Sequence, residues 1–399
     1  MPELPSTETV ELLGHLIAFD TVSSRSNMAL IDYVAARLGS LGIVHRILPS
    51  ADGKKANLWA MIGPDRPGGV VLSGHSDVVP VEGQTWDSDP FTMRCDGERL
   101  YGRGTTDMKG FIACAIAALE RHREAPLERP IHLAISYDEE VGCLGAPYLI
   151  DWLTNLPIPP AIALIGEPTS MRIVNAHKSV TVARTEISGV EAHSSMAHHG
   201  VSAIDLAGRM IAGMKDMEAD LADTHRDDRF LPDRATISVN RIGGGTAVNI
   251  LAGQAWFDWD VRGIPDADGD TVLGRMDALQ QAVAGPAARS HSGVTIGTRV
   301  LANVPALAPE SEGAAETFVR ALLADFSNDA CAVSYGTEAG QFQRAGMSAV
   351  VIGPGSIDEA HKANEFVALS QLAACELFLD AVVVALSGQE ETTLDAGHG

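Results

Sequence analysis

The stretch that decides the fold of this chain is Gly69-Val70-Val71-Leu72-Ser73-Gly74-His75-Ser76-Asp77. Its apolar run predicts a buried strand, which ends in a turn of small residues carrying one histidine and one aspartate. In an open α/β sheet, ligands bind beyond the carboxyl ends of the strands. An imidazole there can bind a metal ion while a carboxylate orients the ring. Because an isolated His-x-Asp is more often a structural pair, the interpretation depends on the other strand ends.

The composition limits the classes of protein that need to be considered. A length of 399 residues predicts two or three domains, and 46% hydrophobic with 20% charged residues is typical of soluble globular proteins. The net charge of -23 argues against nucleic acid and anionic membranes as partners.

The cysteines and the N-terminus indicate a cytoplasmic protein. Met1-Pro2-Glu3-Leu4-Pro5 has neither the basic region nor the apolar core of a signal peptide, and we expect no segment long enough to span a membrane. An odd, scattered set of cysteines without metal-site or disulfide spacing suits a reducing compartment. These cysteines are Cys95, Cys114, Cys143, Cys331 and Cys375.

Helices and strands alternate in the first part of the chain, which predicts a doubly wound α/β domain. The expected helices are 7–19, 27–41 and 108–123, and the expected strands are 57–63, 69–73, 131–137 and 161–165. The same character resumes late in the chain, with a helix over 313–325 and a strand over 348–352.

A second pattern interrupts this alternation and predicts a ferredoxin-like β-α-β-β-α-β unit. Its expected strands are 180–189, 235–242, 254–261 and 294–301, and its expected helices are 202–217 and 271–283. We therefore expect a discontinuous domain of residues 1–179 and 303–388 and an inserted domain of residues 180–302. Residues 389–399 are small and polar, which is typical of a mobile tail.

The other predicted strand ends also carry metal-binding residue types. Glu139 and Glu140 follow the strand 131–137, Glu167 follows 161–165, and His361 comes soon after 348–352. Asp107 precedes a helix, where a helix cap is the ordinary interpretation, and a solvated charge cluster is the alternative for the acids. Because the ends of parallel strands meet at one edge, the acids would accumulate negative charge there. Mixed imidazole and carboxylate ligands suit a pair of zinc ions, with cobalt or manganese as alternatives.

These segments together resemble the dinuclear zinc amidohydrolases and exopeptidases, a family that includes acetylornithine deacetylase, succinyl-diaminopimelate desuccinylase, aminoacylase and glutamate carboxypeptidase. The resemblance spans residues 73–362 and includes the zinc-exopeptidase-like fold with an inserted dimerisation domain. The matching segments are Ser73-Gly74-His75-Ser76-Asp77-Val78-Val79-Pro80, Gly102-Arg103-Gly104-Thr105-Thr106-Asp107-Met108-Lys109-Gly110, Asp138-Glu139-Glu140, Gly166-Glu167-Pro168-Thr169 and Ala360-His361-Lys362.

The resemblance implies a role for each matching position. One zinc ion would be bound by His75 and Glu167 and the other by Glu140 and His361, and cobalt can substitute for zinc. Asp107 would bridge the two ions. Asp77 would orient His75, and Glu139 would be the general base that moves a proton from the bridging water to the leaving amine.

Further residues of the chain resemble catalytic and substrate-binding positions of this family. His193 would stabilise the oxyanion of the tetrahedral intermediate, from its own subunit or across a homodimer; a surface histidine is the alternative. Asn249 and Arg262 resemble contacts to the substrate carboxylate, with a turn asparagine and a surface arginine as alternatives. The segment around Glu338 most resembles the acetylornithine deacetylase branch, and we expect Glu338 to recognise a side-chain ammonium.

The expected activity is metal-dependent hydrolysis of N2-acetyl-L-ornithine to L-ornithine and acetate, a step of arginine biosynthesis. The alternatives are a deacylase of another N-acyl amino acid or a desuccinylase of N-succinyl-diaminopimelate. A non-catalytic homologue is disfavoured because the complete set of metal-binding residues and Glu139 is present.

Overall fold

The computed structural model describes residues 4–323 and 329–388, so the predicted tail 389–399 and the end of the helix predicted over 313–325 lie outside the described residues. The helices are α1 (Thr7–Ile17), α2 (Met28–Ser40), α3 (Lys109–Arg121), α4 (Ala146–Thr154), α5 (Ala203–Thr224), α6 (Gly269–Ala288), α7 (Ala314–Leu322), α8 (Ala339–Arg344) and α9 (Leu369–Leu386). Short 3-10 helices span Ser194–His199 and Ile357–Glu359. The strands are β1 (Val44–Pro49), β2 (Ala56–Ile62), β3 (Val70–His75), β4 (Arg94–Asp96), β5 (Arg99–Tyr101), β6 (Ile131–Ser136), β7 (Ile162–Ile165), β8 (Val174–His177), β9 (Ser179–Ser188), β10 (Thr236–Gly244), β11 (Gln254–Gly263), β12 (Thr295–Val304), β13 (Cys331–Val333), β14 (Ser348–Val351) and β15 (Phe366–Ala368).

A large sheet of eight strands positions the candidate site. Its order is β1-β2-β6-β3-β7-β14-β8-β13, and the central strands β6, β3, β7 and β14 are parallel neighbours. Helices α1, α2, α3, α7 and α9 pack on one face, and α4 and α8 pack on the other. Because both faces are covered, the central strands are continuous apolar runs. The predicted doubly wound α/β domain is confirmed, and the strand ends that carry the chemistry share one edge.

A smaller sheet is formed by the strands between Ser179 and Val304. Its order is β10-β11-β9-β12, and the buried residues of β9 and β11 alternate because α5 and α6 cover one face only. This is the order of a ferredoxin-like β-α-β-β-α-β unit, as predicted. The part of the chain outside residues 179–304, which contains the large sheet, is called the large unit, and residues 179–304 the small unit. Ala302 of β12 lies against Gly142 of the large unit, since a Cβ atom added at Gly142 would be 2.3 Å from the Ala302 Cβ. One end of the small sheet therefore adjoins the turn that follows Glu140.

Helix α9 corrects the expectation that no segment is long enough to span a membrane. It has 18 residues with a mean hydropathy of 1.8, which meets the length and composition of a membrane-spanning helix. Half of it is buried in this fold, where Leu372, Phe378 and Leu379 belong to the core cluster that includes residues of α3. Its apolar character is that of a core helix.

Candidate metal centre

His75 is the last residue of β3, and its ring is fixed by a backbone contact. The side chain is buried, and Nδ1 lies 2.9 Å from the backbone carbonyl oxygen of Asp77. With Nδ1 donating to that carbonyl, Nε2 is left as the ligand atom. Nε2 lies 3.1 Å from Oδ1 of Asp107 and 3.4 Å from Oε1 of Glu167. The carboxylate of Asp77 is farther from the ring, with Oδ1 at 3.6 Å from Nδ1.

Asp107 lies between the two histidines of the predicted site. It does not cap α3, because the cap position is Met108 and no side chain makes a cap hydrogen bond there. Oδ1 of Asp107 is 3.1 Å from Nε2 of His75, and Oδ2 is 3.0 Å from Nε2 of His361. One carboxylate thus presents one oxygen to each imidazole, which is the arrangement that a bridging ligand requires.

The acidic pair lies in the turn after β6 and is held by Asp77. The backbone N–H of Glu139 donates to Oδ1 of Asp77 at 3.1 Å, and that of Glu140 donates to Oδ2 at 3.3 Å. Oε2 of Glu140 is 3.0 Å from Nε2 of His361, whereas Oε2 of Glu139 is 4.0 Å from Nε2 of His75. The Asp77 carboxylate therefore positions the acidic pair, and its backbone carbonyl orients His75.

Substitution of Asp77 by asparagine is expected to lower kcat/KM about 10- to 100-fold, the usual cost of changing a group that orients metal ligands. An amide has a single acceptor oxygen, so Glu139 or Glu140 loses its backbone anchor. Steady-state kinetics with saturating metal measure the effect, and Asp380→Asn at a partly exposed ion pair is the control. Activity within twofold of the unsubstituted protein would refute this positioning role.

Glu167 follows β7 and depends on close packing at the residue before it. A Cβ atom added at Gly166 would lie 2.0 Å from the ring of Phe111 on α3. Only glycine allows the helix to approach the strand end so closely. The chain therefore reaches Glu167 with its carboxylate buried and directed at His75.

The donor set fits divalent metal ions. The separations of 3.0–3.4 Å between imidazole nitrogens and carboxylate oxygens match the edge of a tetrahedron with metal–ligand distances of about 2.0–2.1 Å. Ligand atoms of His75, Glu139 and Glu167, and likewise those of His75, Asp107 and Glu140, lie within 4.8 Å of one another. Oε1 of Glu140 is buried without a hydrogen-bond partner among the described residues, so a cation would satisfy an otherwise costly acceptor.

The excess of carboxylates in the cluster also favours the binding of a cation. Burial and the negative charge of Asp107 raise the pKa of Glu140 and of Glu167 to about 7. Hydrogen bonds to Asp107 and Glu140 raise the pKa of His361 to about 11. Burial alone lowers the pKa of His75, but the surrounding carboxylates more than offset it and raise the pKa. Protons therefore compensate the excess of acids, and metal binding would displace those protons.

The predicted catalytic residue His193 and the predicted substrate-binding residues Asn249 and Arg262 lie on the small unit, residues 179–304. In the described part of the chain they make no hydrogen bond or ion pair with the cluster. His193 is exposed, and its Nδ1 is 2.7 Å from Oγ of Ser195. The loop of His193 pairs with that of Asn249, whose carbonyl accepts the N–H of Ser194 at 2.9 Å. Arg262 is the penultimate residue of β11 and pairs with Asp260 at 3.1 Å.

Glu338 lies inside the large unit and not on an open surface. Its side chain belongs to a residue that is only 2% exposed, and the hydroxyl groups of Ser136 and Ser73 donate to its carboxylate. Burial raises its pKa. Among residues 4–323 and 329–388, no lysine or arginine forms an ion pair with it, and the charge of His75 partly offsets the effect of burial on its pKa.

The sequence interpretation missed two groups that contact the acids. The hydroxyl of Ser23 donates to Oδ2 of Asp77 at 2.7 Å, and the thiol of Cys143 donates to Oε1 of Glu139 at 3.3 Å. Cys143 had a weak local signal, because it lies four residues after Glu139 in the same turn. Ser23 had none, because tertiary packing alone brings it to Asp77.

Comparisons with known proteins identify the family of this chain. The model of peptidase family M20/M25/M40 matches residues 71–385. The chain belongs to this family. A curated relative from Myxococcus xanthus, acetylornithine deacetylase, is 35% identical over 94% of this chain and 97% of its own length. The acetylornithine deacetylase of Proteus mirabilis (strain HI4320) is 33% identical over 90% of this chain and 91% of its own.

Solved structures of the M20 family have the same fold. A metallo-carboxypeptidase from Sulfolobus solfataricus has a TM-score of 0.72 and 16% identity, covering 95% of this chain and 99% of its own. The dinuclear metal binding peptidase YXEP from Bacillus subtilis has a TM-score of 0.65 and 16% identity, covering 95% of this chain and 98% of its own. At these identities the likeness establishes the fold alone.

Proposed function

We propose that this M20-family chain hydrolyses the amide of N2-acetyl-L-ornithine to L-ornithine and acetate, a reaction that supplies ornithine for arginine synthesis. The observation that carries the proposal is the position of Asp107 between His75 and His361, with Glu167 and Glu140 beside them. Relatives named acetylornithine deacetylase, at 31–35% identity, supply the substrate.

The proposed ligands are drawn from the donor set described above. His75 and Glu167 would hold one ion, Glu140 and His361 the other, and Asp107 would bridge them; zinc suits these ligands, and cobalt can replace it. Bound divalent ions would lower the pKa of a water molecule and polarise the amide carbonyl.

Glu139 is the proposed general base. Its side chain is 11% exposed, and burial raises its pKa well above the ordinary value, with the negative charges of Glu167 and Glu140 adding to the desolvation. A carboxylate with a raised pKa takes a proton from the attacking water more readily and returns it to the leaving nitrogen. It lies farther from His75 than Asp107 and Glu167 do, which leaves its carboxylate available for proton transfer.

The small unit is proposed to act across a homodimer. Val182 pairs with Ala302 beside the acidic turn, whereas Ser188 lies six residues farther along β9, roughly 20 Å away. His193 and Asn249 lie beyond that far end of the sheet. Their proposed contacts, to the oxyanion and to the substrate carboxylate, are therefore assigned to the centre of a second copy, whereas Arg262 serves its own chain.

Substitution of Glu338 by glutamine is expected to raise KM for N2-acetyl-L-ornithine at least tenfold. A buried carboxylate that forms no ion pair with a lysine or arginine among the described residues can pair with the substrate's ammonium, and a charge-assisted hydrogen bond is worth roughly 1.5–3 kcal/mol. The matched substrate N2-acetyl-L-norvaline lacks the ammonium, so its KM should not change. Equal effects on both substrates, or no effect on either, would rule out ammonium recognition.

A panel of substrates tests the proposed function. The purified chain is assayed with N2-acetyl-L-ornithine, other N-acetyl amino acids and N-succinyl-diaminopimelate, after chelation and again after restoration of Zn²⁺ or Co²⁺. We expect acetylornithine to have the highest kcat/KM and activity to return only with metal. A higher kcat/KM for the succinyl substrate would make the chain a desuccinylase, and activity that survives chelation would overturn the metal mechanism.

The proposal also includes a cytoplasmic location and a homodimer. All five cysteines are free, which suits a reducing cytoplasm. The edge strands β10 and β12 of the small sheet are each unpaired on one side within the described residues, and such edges can pair across a two-fold axis.

A further inference from the structure

A buried ion pair behind the candidate metal centre is used by no step of the proposed reaction. Arg103 is 1% exposed and Glu365 is completely buried, with Nη1 of Arg103 2.7 Å from Oε2 of Glu365. Removing such charges from water is costly, and hydrogen bonds from the other polar atoms of the pair offset that cost. Nε of Arg103 has no hydrogen-bond partner among the described residues, so the offset comes from its two terminal nitrogens and from the Glu365 carboxylate. The identity of the partners therefore indicates what the pair does.

Glu365 binds the loop that carries Asp107. Its Oε1 accepts the backbone N–H of Thr106 at 2.9 Å and of Asp107 itself at 3.1 Å, while Oε2 accepts that of Gly104 at 3.0 Å. Together with Nη1 of Arg103, the two carboxylate oxygens of Glu365 accept hydrogen bonds from four donors of the same loop. Asp107 can turn its side chain towards both histidines because its backbone is fixed from behind.

Arg103 and Gln84 extend this network to the loop of His361. Nη2 of Arg103 donates to Oε1 of Gln84 at 2.7 Å, and Nε2 of Gln84 donates to the carbonyl oxygen of His361 at 2.9 Å. His361 needs this support, because its φ angle is 62° and its side chain is 52% exposed. The network thus joins the two loops that supply Asp107 and His361.

We infer that Glu365, through Arg103 and Gln84, is a positioning residue that sets Asp107 and His361 at the separation needed to bind the second metal ion. This inference rests on the proposed function, since it takes Asp107 and His361 as ligands. Glu365 contacts neither ion nor substrate in this account. Its effect appears in metal affinity and in the coordination of the bound ion.

The test is a Co²⁺ titration of the full-length, chelator-treated protein, followed by calorimetry and by visible absorption. Glu365→Gln is expected to lower the affinity for the second ion at least tenfold and to change its absorption spectrum, because an amide cannot accept all four donors. Gln84→Ala, at a partly exposed position, should weaken the same ion without loss of folding. Glu376→Gln is the matched control, because Glu376 is also a buried acid with several partners: Ser6 and Thr9 donate hydrogen bonds to it, and Arg121 forms an ion pair with it.

The outcomes separate this inference from the proposed function. The inference is supported if the unsubstituted protein binds two ions and the affinity for the second ion falls in Glu365→Gln and in Gln84→Ala. The affinity in Glu376→Gln should be unchanged. If the unsubstituted protein bound two ions and both variants matched it in affinity and spectrum, the inference alone would fail. If the unsubstituted protein bound fewer than two ions, the proposed dinuclear centre would fail with it, whereas the hydrolytic activity is decided separately by the substrate panel. If Glu365→Gln did not fold, Gln84→Ala would decide between the first two outcomes.

Discussion

Glu139→Gln is expected to lower kcat for N2-acetyl-L-ornithine by roughly 10³-fold or more, at the upper part of the range for general acid–base catalysis. Glutamine has nearly the same shape but cannot take the proton of the attacking water. Because Glu139 lies 4.0 Å from Nε2 of His75, farther than the assigned ligands, its loss should leave metal binding intact. Steady-state kinetics and metal analysis of the same preparation measure both effects.

Glu376→Gln is the control for this experiment, since it also neutralises a buried glutamate, at a position bonded to Ser6 and Thr9. It should retain the kcat of the unsubstituted protein. A Glu139→Gln variant that kept more than a tenth of the activity would remove Glu139 from the role of general base. Loss of a metal ion together with activity would instead make Glu139 a ligand.

Asp107→Ala is expected to bind no more than one ion tightly and to lose roughly 10³-fold or more in kcat/KM. The metal pair is asked to supply several kcal/mol of transition-state stabilisation, at 1.36 kcal/mol for each factor of ten. Without the bridging carboxylate, Nε2 of His75 loses its contact with Oδ1 of Asp107 at 3.1 Å, and Nε2 of His361 loses its contact with Oδ2 at 3.0 Å. Metal content by mass spectrometry and kinetics at saturating Zn²⁺ provide the measurements.

Asp52→Ala is the control, because it removes an aspartate from an exposed loop that supplies none of the assigned ligands. Its metal content and kcat/KM should match those of the unsubstituted protein. Circular dichroism in the presence of chelator shows whether Asp107→Ala remains folded. A folded variant that still bound two ions with unchanged affinity would show that Asp107 does not bridge them, whatever its activity.

The positions of the parallel strands could be predicted because their signals are local. Each of β3, β6, β7 and β14 is a short, largely apolar run. The chemistry-bearing residues lie at or just after the ends of β3, β6 and β7, as with His75 and Glu167, whereas His361 comes only after the longer loop that follows β14. The common edge then follows from the geometry of parallel sheets. The structure accordingly brings together His75, Asp107, Glu139, Glu140, Glu167 and His361.

Other elements could not be predicted because they lack a periodic pattern. Strands β4, β5 and β15 have three residues each, too few to show alternation. Helix α9 is apolar on nearly every face, so it has no amphipathic stripe. The burial of Glu338 and the network around Glu365 depend on contacts between residues more than two hundred positions apart, for which a single sequence gives no signal.

The most direct test of the account is anomalous diffraction at the zinc edge from crystals of the zinc-loaded protein. We expect two peaks of comparable height, one near His75 and Glu167 and one near Glu140 and His361, with Asp107 between them. A single peak, or two peaks without Asp107 between them, would contradict a dinuclear centre bridged by Asp107.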